Sequence, residues 1–407
     1  MNREKLAGDD AESAGPLTGT LVVDLSRALA GPHAGMMLGD LGARVVKIEA
    51  VGSGDETRRW GPPFVGPDDD RQSSYFLSCN RNKESLALDL KSAADIRILT
   101  ALLERADVVI ENFRTGVMDR LGLSMNRLHE INPRLVILSI TGFGHDGPEA
   151  GRAGYDQIVQ GEAGLMSITG SGPDDPQRMG VPIADLLSGM YGAYGVVAAL
   201  LERSATGIGT VVRTSLLSSV VGVHAFQGTR VTVAGETPQA QGNHHPSIAP
   251  YGLFGCADGS VQISVGNESL WQRLCDRFDI DGADPLLADN AHRVRHRRHT
   301  IEAVERAFAD FTAAELLAAL SEAGIPAGIV RSLDEVYRWD QVISQGLVIE
   351  VDHPTLGPIE LPGPPIRFFA TDGDVERETT KRRHRPPPLL DEHGPSLREW
   401  LEEVAPR

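Results

Sequence analysis

The sequence feature that most constrains the fold is an apolar stretch of twenty residues, VPIADLLSGMYGAYGVVAAL, which begins at Val181 and contains one charged side chain, Asp185. Pro182 suits the first turn of a helix, where its missing N–H costs nothing, so Asp185 is expected in that turn, near the positive end of the helix dipole. There it would stay ionised and could act as a nucleophile. The alternative from spacing alone is an acidic residue that merely favours the helix start.

A stretch of this length is also long enough to cross a bilayer. However, Gly189, Gly192 and Gly195 recur every third residue, and small residues on one face let another helix or backbone approach closely. We therefore predict a helix buried in a core or a subunit interface, and no membrane span.

Length and composition set the class of protein. The chain has 407 residues, 41% of them hydrophobic, which suits two or three domains, or one large domain with a smaller insert. The net charge of −17 excludes nucleic acid as a bulk partner, because binding a polyanion needs an extended basic surface. Three scattered cysteines, Cys79, Cys256 and Cys275, indicate reduced thiols. Residues 1–16 are polar and predict a flexible extension, not a signal peptide, so we expect a cytoplasmic location.

The N-terminal part of the sequence alternates between strand and helix patterns. LVVDLS from Leu21, a helical stretch with regular glycines and ARVVKIEA from Ala43 make one βαβ unit, and SLALDL from Ser85 begins a second. This pattern predicts an open, mostly parallel α/β sheet. The glycines do not match the dinucleotide fingerprint, and Pro32 lies where pyrophosphate would need an N–H, so no nicotinamide cofactor is expected.

The pattern changes after this sheet. Residues 141–177 are rich in Gly, Ser, Asp and Pro and are predicted to form long surface loops, which often wall an active site. Residues 233–252 are predicted to be a linker. A β-hairpin is expected around Asp258 and Gly259, followed by three helices that end at Gly324, and together these predict a second, smaller α+β domain.

No motif of a serine hydrolase, zinc protease or P-loop enzyme occurs in the sequence, so carboxylate chemistry remains. His244 and His245 have no acidic or thiol partner at ligand spacing and are interpreted as loop residues, so no metal site is predicted. Lys91, Arg114 and Arg120 follow two predicted strands and are expected as a cluster at the carboxyl ends of the sheet. They would either bind a phosphate or be ordinary surface cations.

Several short motifs occur in order along the chain: AGP at Ala30, KIE at Lys47, GSGDETRRW at Gly52, ENF at Glu111, TGFG at Thr141, GYD at Gly154, GLMSITG at Gly164 and the Asp185 helix. Each motif alone is weak, but the ordered set is specific. Together they resemble the class III CoA-transferase family, the CaiB/BaiF-like group that includes formyl-CoA transferase and carnitine CoA-transferase. The resemblance runs from about Leu17 to the C-terminus.

The resemblance implies a fold and an assembly. It implies a Rossmann-like large α/β domain built from both chain ends, a smaller α+β domain between them, and two chains that interlock as a homodimer. The expected segments are 1–16 for the flexible extension, 17–227 for the N-terminal part of the large CoA-binding domain, 228–339 for the linker and small domain, and 340–407 for the C-terminal return.

The resemblance also implies the site residues. The catalytic aspartate of the family falls on Asp185. The positions that bind CoA in the family fall on Ala28, Leu29, Leu88, Lys91, Asn112, Phe113, Arg114 and Arg120. The substrate pocket is expected to contain Trp60, Tyr155, Gly242, Asn243 and His244. An acyl-CoA and a carboxylic acid would be the substrates, with no tightly bound cofactor and no metal.

The implied activity is CoA transfer by covalent catalysis, in which Asp185 attacks the donor thioester and later carries CoA as an aspartyl thioester. Glycine amides such as that of Gly242 would stabilise the oxyanions. A second branch of the family racemises 2-methylacyl-CoA with a histidine where this chain has Tyr155, and a phenol is too weak an acid or base to replace imidazole. The non-enzymatic alternative is an inactive CoA-binding protein, against which the retained Asp185 argues.

Three positions depart from the formyl-CoA:oxalate enzymes of this family. Leu29 stands where those enzymes carry glutamine, QGNHHPS from Gln241 replaces a run of four glycines, and Ala50 replaces an arginine that helps to hold CoA. An oxalate-specific enzyme is therefore not expected. We expect a donor such as succinyl-CoA and a small carboxylic or dicarboxylic acceptor.

Overall fold

A computed structural model describes residues 15–379 and 383–403 of the chain. Almost all of the expected N-terminal extension, residues 1–16, therefore lies outside the described residues. The chain divides into two compact units. The first contains the chain up to Ala163, residues 180–229 and the chain from Asp340 onward, and the second contains residues 164–179 and 230–339. The segment boundaries expected from the sequence stay predictions.

A parallel sheet forms the centre of the first unit. Within the described residues it has six strands in the order β5-β2-β1-β6-β7-β8, and β3 and β4 form a separate antiparallel pair. The strands are β1 Leu21–Asp24, β2 Arg44–Glu49, β3 Phe64–Val65, β4 Gln72–Ser73, β5 Lys83–Ala87, β6 Val108–Glu111, β7 Val136–Thr141 and β8 Val211–Ser215. The predicted α/β class with a parallel sheet is confirmed.

Helices cover both faces of this sheet. Leu99 and Leu128 pack in one core with Val109 and Ile137 of the central strands, whereas Leu138 faces the opposite side. The helices up to residue 232 are α1 Ala30–Asp40, α2 Ser74–Ser78, α3 Ala93–Leu103, α4 Val117–Arg120, α5 Met125–Ile131, α6 Asp156–Glu162, α7 Ile183–Thr206, α8 Leu216–Gly222 and α9 Ala225–Thr232, with short 3-10 helices at Glu56–Arg59 and Met166–Ile168.

The three glycines of α7 allow close packing on this second face. A Cβ at Gly189 would lie 2.7 Å from the carbonyl oxygen of Ala30, at the start of α1. A Cβ at Gly192 would lie 2.9 Å from the Leu138 side chain of β7. Both distances are too short for a methyl group: at Gly189 the backbone of α1 would have to move away, and at Gly192 the Leu138 side chain would have to shift. The predicted role of the small residues is confirmed.

The other face of α7 is apolar and exposed. Tyr194 and Leu201 are each 74% exposed, and Met190, Tyr191 and Val197 continue the same stripe. The glycine face is therefore buried as predicted, whereas burial of this second face in a subunit interface stays a prediction. Among the described residues, α7 is the one helix that is long and apolar enough to cross a membrane, and its glycine face packs on the sheet as in a core helix.

The second unit contains a small antiparallel sheet in the order β11-β10-β9. The predicted hairpin is confirmed: Cys256 and Gly259 pair across a two-residue turn. Its hydrophobic core includes Phe254, Trp271 and Phe308. Its elements are β9 Tyr251–Cys256, β10 Gly259–Ser264, α10 Glu268–Phe278, a 3-10 helix Pro285–Leu287, α11 Asn290–Arg295, α12 Arg297–Phe308, α13 Ala313–Glu322, β11 Ala327–Gly328 and α14 Leu333–Tyr337.

The C-terminal segment belongs to the first unit. Leu397 and Leu401 of its last helix join the core cluster that contains Leu86 and Leu99. The segment contains α15 Asp340–Ser344, the hairpins formed by β12 Val348–His353 with β13 Gly357–Pro362 and by β14 Phe369–Asp372 with β15 Val375–Glu378, and α16 Gly394–Glu403.

Residues 141–177 differ from the predicted long loops, because α6 forms inside them. Gln160 is buried and its side-chain amide donates a 2.7 Å hydrogen bond to Asp156 one turn earlier, which supports the helix. The predicted linker over residues 233–252 also makes ordered contacts within the second unit. The amide of His245, for example, donates to the Tyr251 carbonyl over 2.9 Å.

Candidate active site at the start of helix α7

Asp185 lies in the first turn of α7, as the sequence predicts. The helix begins at Ile183, with Pro182 at the N-cap position. Proline has no side chain that can accept a hydrogen bond from the first amides, and Pro182 forms no such cap. Asp185 is half-buried.

The missing cap is supplied by Asp156 from α6. One of its carboxylate oxygens accepts hydrogen bonds from the amides of Ala184, at 2.8 Å, and Asp185, at 3.4 Å. The other oxygen accepts the Gln160 hydrogen bond. Two carboxylates therefore meet at one helix terminus, and the one that caps it occupies the positive end of the dipole.

This arrangement changes the protonation of Asp185. Burial, with a smaller contribution from the negative charge of Asp156, raises the pKa of Asp185 to about 7. Within the described parts of the chain, no group donates a hydrogen bond to the Asp185 carboxylate. The expectation that Asp185 stays ionised near the helix dipole therefore stays a prediction for pH values above about 7, because desolvation raises its pKa. A carboxylate near neutral pKa and without donors is a poorly solvated and reactive group.

The Tyr75 hydroxyl is close enough to Asp185 and Asp156 to be affected by their charges, and Trp60 contacts the Tyr75 ring. Burial, followed by the negative charge of Asp185, raises the pKa of Tyr75, so its hydroxyl stays protonated. The rings of Tyr75 and Trp60 contact edge to face, with centroids 5.0 Å apart. Trp60, predicted as a pocket residue, is thus linked to Asp185 through Tyr75. Tyr155 precedes Asp156 and is 61% exposed.

The loop after β1, residues 25–29, and the end of β6 are held together by Asn112. Its side-chain carbonyl accepts from the Arg27 amide over 2.8 Å, and its side-chain amide donates to the Arg27 carbonyl over 2.7 Å. The Arg27 guanidinium also lies 5.1 Å from the centre of the Phe113 ring. Ala28 has a φ of 63°, a left-handed conformation that is uncommon for alanine, and Leu29 is the N-cap of α1. The structure therefore brings Ala28, Leu29, Asn112 and Phe113 together.

The other predicted CoA contacts are more widely spaced. Lys91 follows β5, whereas Arg114 and Arg120 follow β6, and both β2 and β1 lie between these strands. Three strand spacings amount to about 14 Å, so a ligand that contacts all three cations would have to extend along this edge of the sheet, and their clustering stays a prediction. Sequence order alone could not reveal this separation. The Leu88 side chain is 1% exposed and lies in the core.

Gly242, Asn243 and His244 lie in the second unit. Gly242 has a left-handed φ of 59°, and its amide donates a 2.9 Å hydrogen bond to the Gly170 carbonyl, so in this conformation that amide is occupied. His244 contacts the Phe254 ring edge to face, and burial, followed by the charge of Arg297, lowers its pKa. Over residues 15–379 and 383–403, no three His, Cys, Asp or Glu side chains are grouped to hold a metal ion.

Sequence reasoning did not assign roles to Asp156 or Tyr75. The signal for Asp156 was present, since GYD was noted as a motif and Pro182 cannot cap its own helix. Asp156 lies 28 positions before Ala184, whose amide donates to it, and local spacing does not reveal such distant pairs. No comparable signal pointed to Tyr75.

The raised pKa and the position of Asp185 at a helix terminus beside a parallel sheet make it a candidate for covalent carboxylate catalysis. The family model of CoA-transferase family III matches residues 17–394. The chain belongs to this family, and the predicted transfer of CoA between an acyl-CoA and a carboxylate is confirmed at the level of class.

Related proteins of known name span nearly the whole chain. Succinyl-CoA:glutarate CoA-transferase of Mus musculus is 38% identical over 401 residues, which cover 97% of this chain and 88% of the mouse protein. Succinyl-CoA:mesaconate CoA-transferase of Haloarcula hispanica is 35% identical, covering 94% of this chain and 96% of that protein. A CAIB/BAIF family protein from Brucella suis has a similar crystal structure, with a TM-score of 0.82 and 37% identity, covering 95% of this chain and 100% of that one.

Proposed function

We propose that this enzyme transfers CoA from succinyl-CoA to a small carboxylic or dicarboxylic acid through a covalent intermediate on Asp185. The observation that carries the proposal is the half-buried Asp185 carboxylate, which has a pKa of about 7 and lies at the start of α7. Above this pH it is ionised and poorly solvated, which suits a nucleophile.

The proposed reaction has four acyl-transfer steps. The Asp185 carboxylate attacks the thioester carbonyl, so a C–O bond forms, the C–S bond breaks, and a mixed anhydride and CoA thiolate result. The thiolate attacks the aspartyl carbonyl and releases the donor acid, leaving an aspartyl-CoA thioester. The acceptor carboxylate attacks this thioester and expels the thiolate, which then attacks the acceptor carbonyl of the new anhydride. The product acyl-CoA leaves and the Asp185 carboxylate is regenerated, with no net gain or loss of protons.

The residues around Asp185 support these steps. Asp156 fixes the first turn of α7 by accepting hydrogen bonds from the amides of Ala184 and Asp185. The backbone that carries the proposed nucleophile is therefore held in place. The Tyr75 hydroxyl keeps its proton and is a donor that could stabilise a developing oxyanion. In this role it would act with Trp60 as one wall of the pocket.

CoA is proposed to bind along the carboxyl ends of the strands. Ala28, Leu29, Asn112 and Phe113 form a connected surface after β1 and β6, joined through the two hydrogen bonds of Arg27. Lys91, Arg114 and Arg120 supply positive charge at two separated places on the same edge, which suits a long ligand with more than one phosphate better than a single compact anion.

The acceptor is proposed to be a dicarboxylic acid. The named relatives act on glutarate and mesaconate with succinyl-CoA as the donor, and both acceptors are small dicarboxylic acids. Gly242, Asn243 and His244 are proposed pocket residues for this acceptor. Tyr155 replaces the histidine that the racemase branch needs, so proton transfer at the α-carbon is not favoured.

A homodimer of interlocked chains in the cytoplasm is proposed as the working form. The exposed apolar stripe on α7 supports an association surface, since five large apolar side chains on one helix face seldom stay in water. Light scattering at micromolar concentration should give twice the mass of 43.7 kDa. A monomer would contradict the assembly but leave the chemistry untouched.

The activity is tested by mass spectrometry of the CoA products. The purified enzyme is incubated with succinyl-CoA and a pool of carboxylic acids that includes glutarate and mesaconate, beside Asp185→Ala. New acyl-CoA masses from the wild type alone are expected, and they identify the acceptor. Product from the alanine variant at the wild-type rate would contradict the mechanism. Incorporation of deuterium at the α-carbon of a 2-methylacyl-CoA would favour the racemase alternative.

A further inference from the structure

The second unit contains a run of basic residues, HRVRHRRH over 292–299, and Arg297 is the half-buried arginine of this run. Arg293 is buried and pairs with Glu268 at 2.6 Å, whereas Arg298 is exposed and pairs with a glutamate one turn later at 2.8 Å. Arg297, the first residue of α12, forms no ion pair with any residue that the structure describes. It is therefore a partly desolvated cation without a counter-charge in this part of the chain.

Arg297 is attached to the loop that carries the proposed acceptor residues. Its Nη2 atom donates a 3.0 Å hydrogen bond to the carbonyl oxygen of Pro246, which directly follows His244 and His245. Burial, followed by the positive charge of Arg297, lowers the pKa of both histidines. Both imidazoles are therefore mainly neutral at pH 7, and the guanidinium is the cation at this loop.

The acid that acts on this loop does not neutralise Arg297. Glu305 opposes the lowering of the pKa of His244, but its Oε1 atom accepts a 2.9 Å hydrogen bond from the Gly255 amide and it forms no ion pair with Arg297. Burial lowers the pKa of Arg297. An arginine nevertheless keeps its proton at neutral pH, and burying a charge is costly unless an opposite charge pairs with it.

The guanidinium has donors left for an anion. One N–H group of Arg297 is used toward the Pro246 carbonyl, and the others have no hydrogen-bond partner within residues 15–379 and 383–403. The planar fork of an arginine matches a carboxylate, which accepts two parallel hydrogen bonds from it. A role that only attaches the loop to α12 needs the Pro246 hydrogen bond alone, and a neutral amide could make that bond. The unpaired charge therefore indicates a ligand.

We propose that Arg297 selects a dicarboxylic acceptor, because its guanidinium binds the acceptor carboxylate that does not react. The inference rests on the proposed function, since it adds Arg297 to the pocket residues Gly242, Asn243 and His244. A monocarboxylic acid of the same length would place a methyl group against the guanidinium and leave the cation unpaired. Discrimination between the two acids, and not the rate of transfer itself, is the property that Arg297 controls.

The test is a competition between glutarate and pentanoate, two acids of equal carbon number that differ by one carboxylate. Both are supplied at equal concentration with succinyl-CoA, and mass spectrometry gives the ratio of glutaryl-CoA to pentanoyl-CoA. Because both acids compete for the same CoA-loaded enzyme, the ratio does not depend on the donor step or on the fraction of active protein. We expect the wild type to favour glutarate, and Arg297→Gln to lower the ratio by roughly tenfold to a hundredfold.

Two further variants show whether the charge of Arg297 is responsible. Arg298→Gln is the matched control, because it removes the adjacent exposed arginine of α12 and should keep the wild-type ratio. Arg297→Lys retains a cation and should recover part of the ratio that Arg297→Gln loses. If Arg297 only holds the loop, both products decrease together in Arg297→Gln, and this unchanged ratio would overturn the proposal. Equal transfer to both acids by the wild type would also overturn it, while leaving the transfer function intact.

A binding measurement separates this inference from the proposed transfer. Isothermal titration of the full chain with glutarate, in the presence of CoA, needs no turnover. We expect glutarate to bind at least about tenfold more weakly to Arg297→Gln than to the wild type. Equal affinity, or no binding of glutarate to the wild type, would contradict the role of Arg297. A wild type that forms no acyl-CoA but shows this loss of glutarate affinity would refute the transfer and support Arg297 as a carboxylate-binding residue.

Discussion

Two groups of carboxylates in the first unit have pKa values that are shifted in opposite directions. Next to the loop after β1, Asp24 pairs with Lys83 and Asp55 with Lys47, each at 2.8 Å and with fully buried side chains. Burial raises the pKa of both carboxyls, but the two lysines outweigh it, so the net pKa of each is lowered. At the start of α7, Asp185 has no cation partner among the described residues, and its pKa rises to about 7.

The difference teaches what burial alone does to a carboxylate. The first group holds a loop in place: Lys47 donates to the Ser26 carbonyl over 2.9 Å, and Lys83 donates to the Pro32 carbonyl over 2.8 Å. Its charges are neutralised and inert. Asp185 lacks such neutralisation, which suits the catalytic role proposed for it. The same residue type thus serves structure in one place and is proposed to serve chemistry in the other.

Removing the unpaired carboxylate should have the largest effect on activity. Asp185→Ala is expected to lower kcat by roughly a thousandfold or more, because the covalent route is lost. Initial rates of acyl-CoA formation measure this. Asp185→Asn is the isosteric companion and should be equally inactive. A variant that keeps more than a tenth of the wild-type kcat would contradict the reactive role that distinguishes Asp185 from the paired carboxylates.

The same variant should not lose stability, which separates a functional from a structural role. The raised pKa means that folded Asp185 binds a proton that the unfolded chain has released, so wild-type stability falls as pH rises from about 4 to 7. Asp185→Asn removes this loss. Urea unfolding at pH 8 should therefore give Asp185→Asn a free energy of unfolding at least equal to that of the wild type. A lower value would indicate that Asp185 stabilises the fold.

Breaking a paired carboxylate should instead damage the fold. Lys47→Met leaves Asp55 buried without its cation, and the free energy of unfolding should fall by about 3–5 kcal/mol. Urea unfolding at pH 7 measures the loss. Arg298→Gln, which breaks an exposed pair with Glu302, serves as the control and should cost about 0–1 kcal/mol. Similar losses of unfolding free energy in both variants would show that the buried pair contributes no more to stability than the exposed pair.

The pH dependence of the reaction sharpens the comparison further. Since only ionised Asp185 attacks, kcat/KM should fall about tenfold between pH 8 and pH 6, with an apparent pKa of about 7. Steady-state rates with saturating acceptor provide the profile. An acidic limb near pH 4 would mean that Asp185 is solvated or paired in the working enzyme.

The smallest effect is expected from the neighbouring acid. Asp156→Asn removes a negative charge while its amide oxygen can still cap α7, so the pKa of Asp185 should decrease and kcat/KM at pH 6 should rise about two- to fivefold. Asp156→Ala shares the electrostatic change but also loses the cap, which should cost about 1 kcal/mol of stability. An acidic limb that does not move in Asp156→Asn would show that Asp156 acts only as a cap.

Local patterns predicted the elements that depend on neighbouring residues. The strands from Leu21 and Ala43, the hairpin near Gly259 and the helix that begins beside Pro182 all follow from periodicity and turn residues. The glycines of α7 identified one packed face correctly. The identity of Asp185 as a candidate nucleophile came from its isolation in an apolar stretch, together with the family resemblance.

Features that depend on distant residues were not predictable in the same way. Asp156 caps a helix from another element, and the strand order separates Lys91 from Arg114 although both follow strands. The raised pKa of Asp185 follows from the burial of its own side chain and from the position of Asp156. Neither can be read from the sequence. The helix dipole, which can be inferred from sequence, predicted the opposite direction.

The central claim is that Asp185 carries CoA as a covalent thioester, and the most direct measurement is the mass of the enzyme during turnover. Wild-type enzyme mixed with succinyl-CoA and quenched in acid should gain the mass of CoA less one water, and peptide mapping should place the gain on Asp185. Hydroxylamine should remove it. Transfer to an acceptor without any such adduct, or an adduct on another residue, would contradict the account.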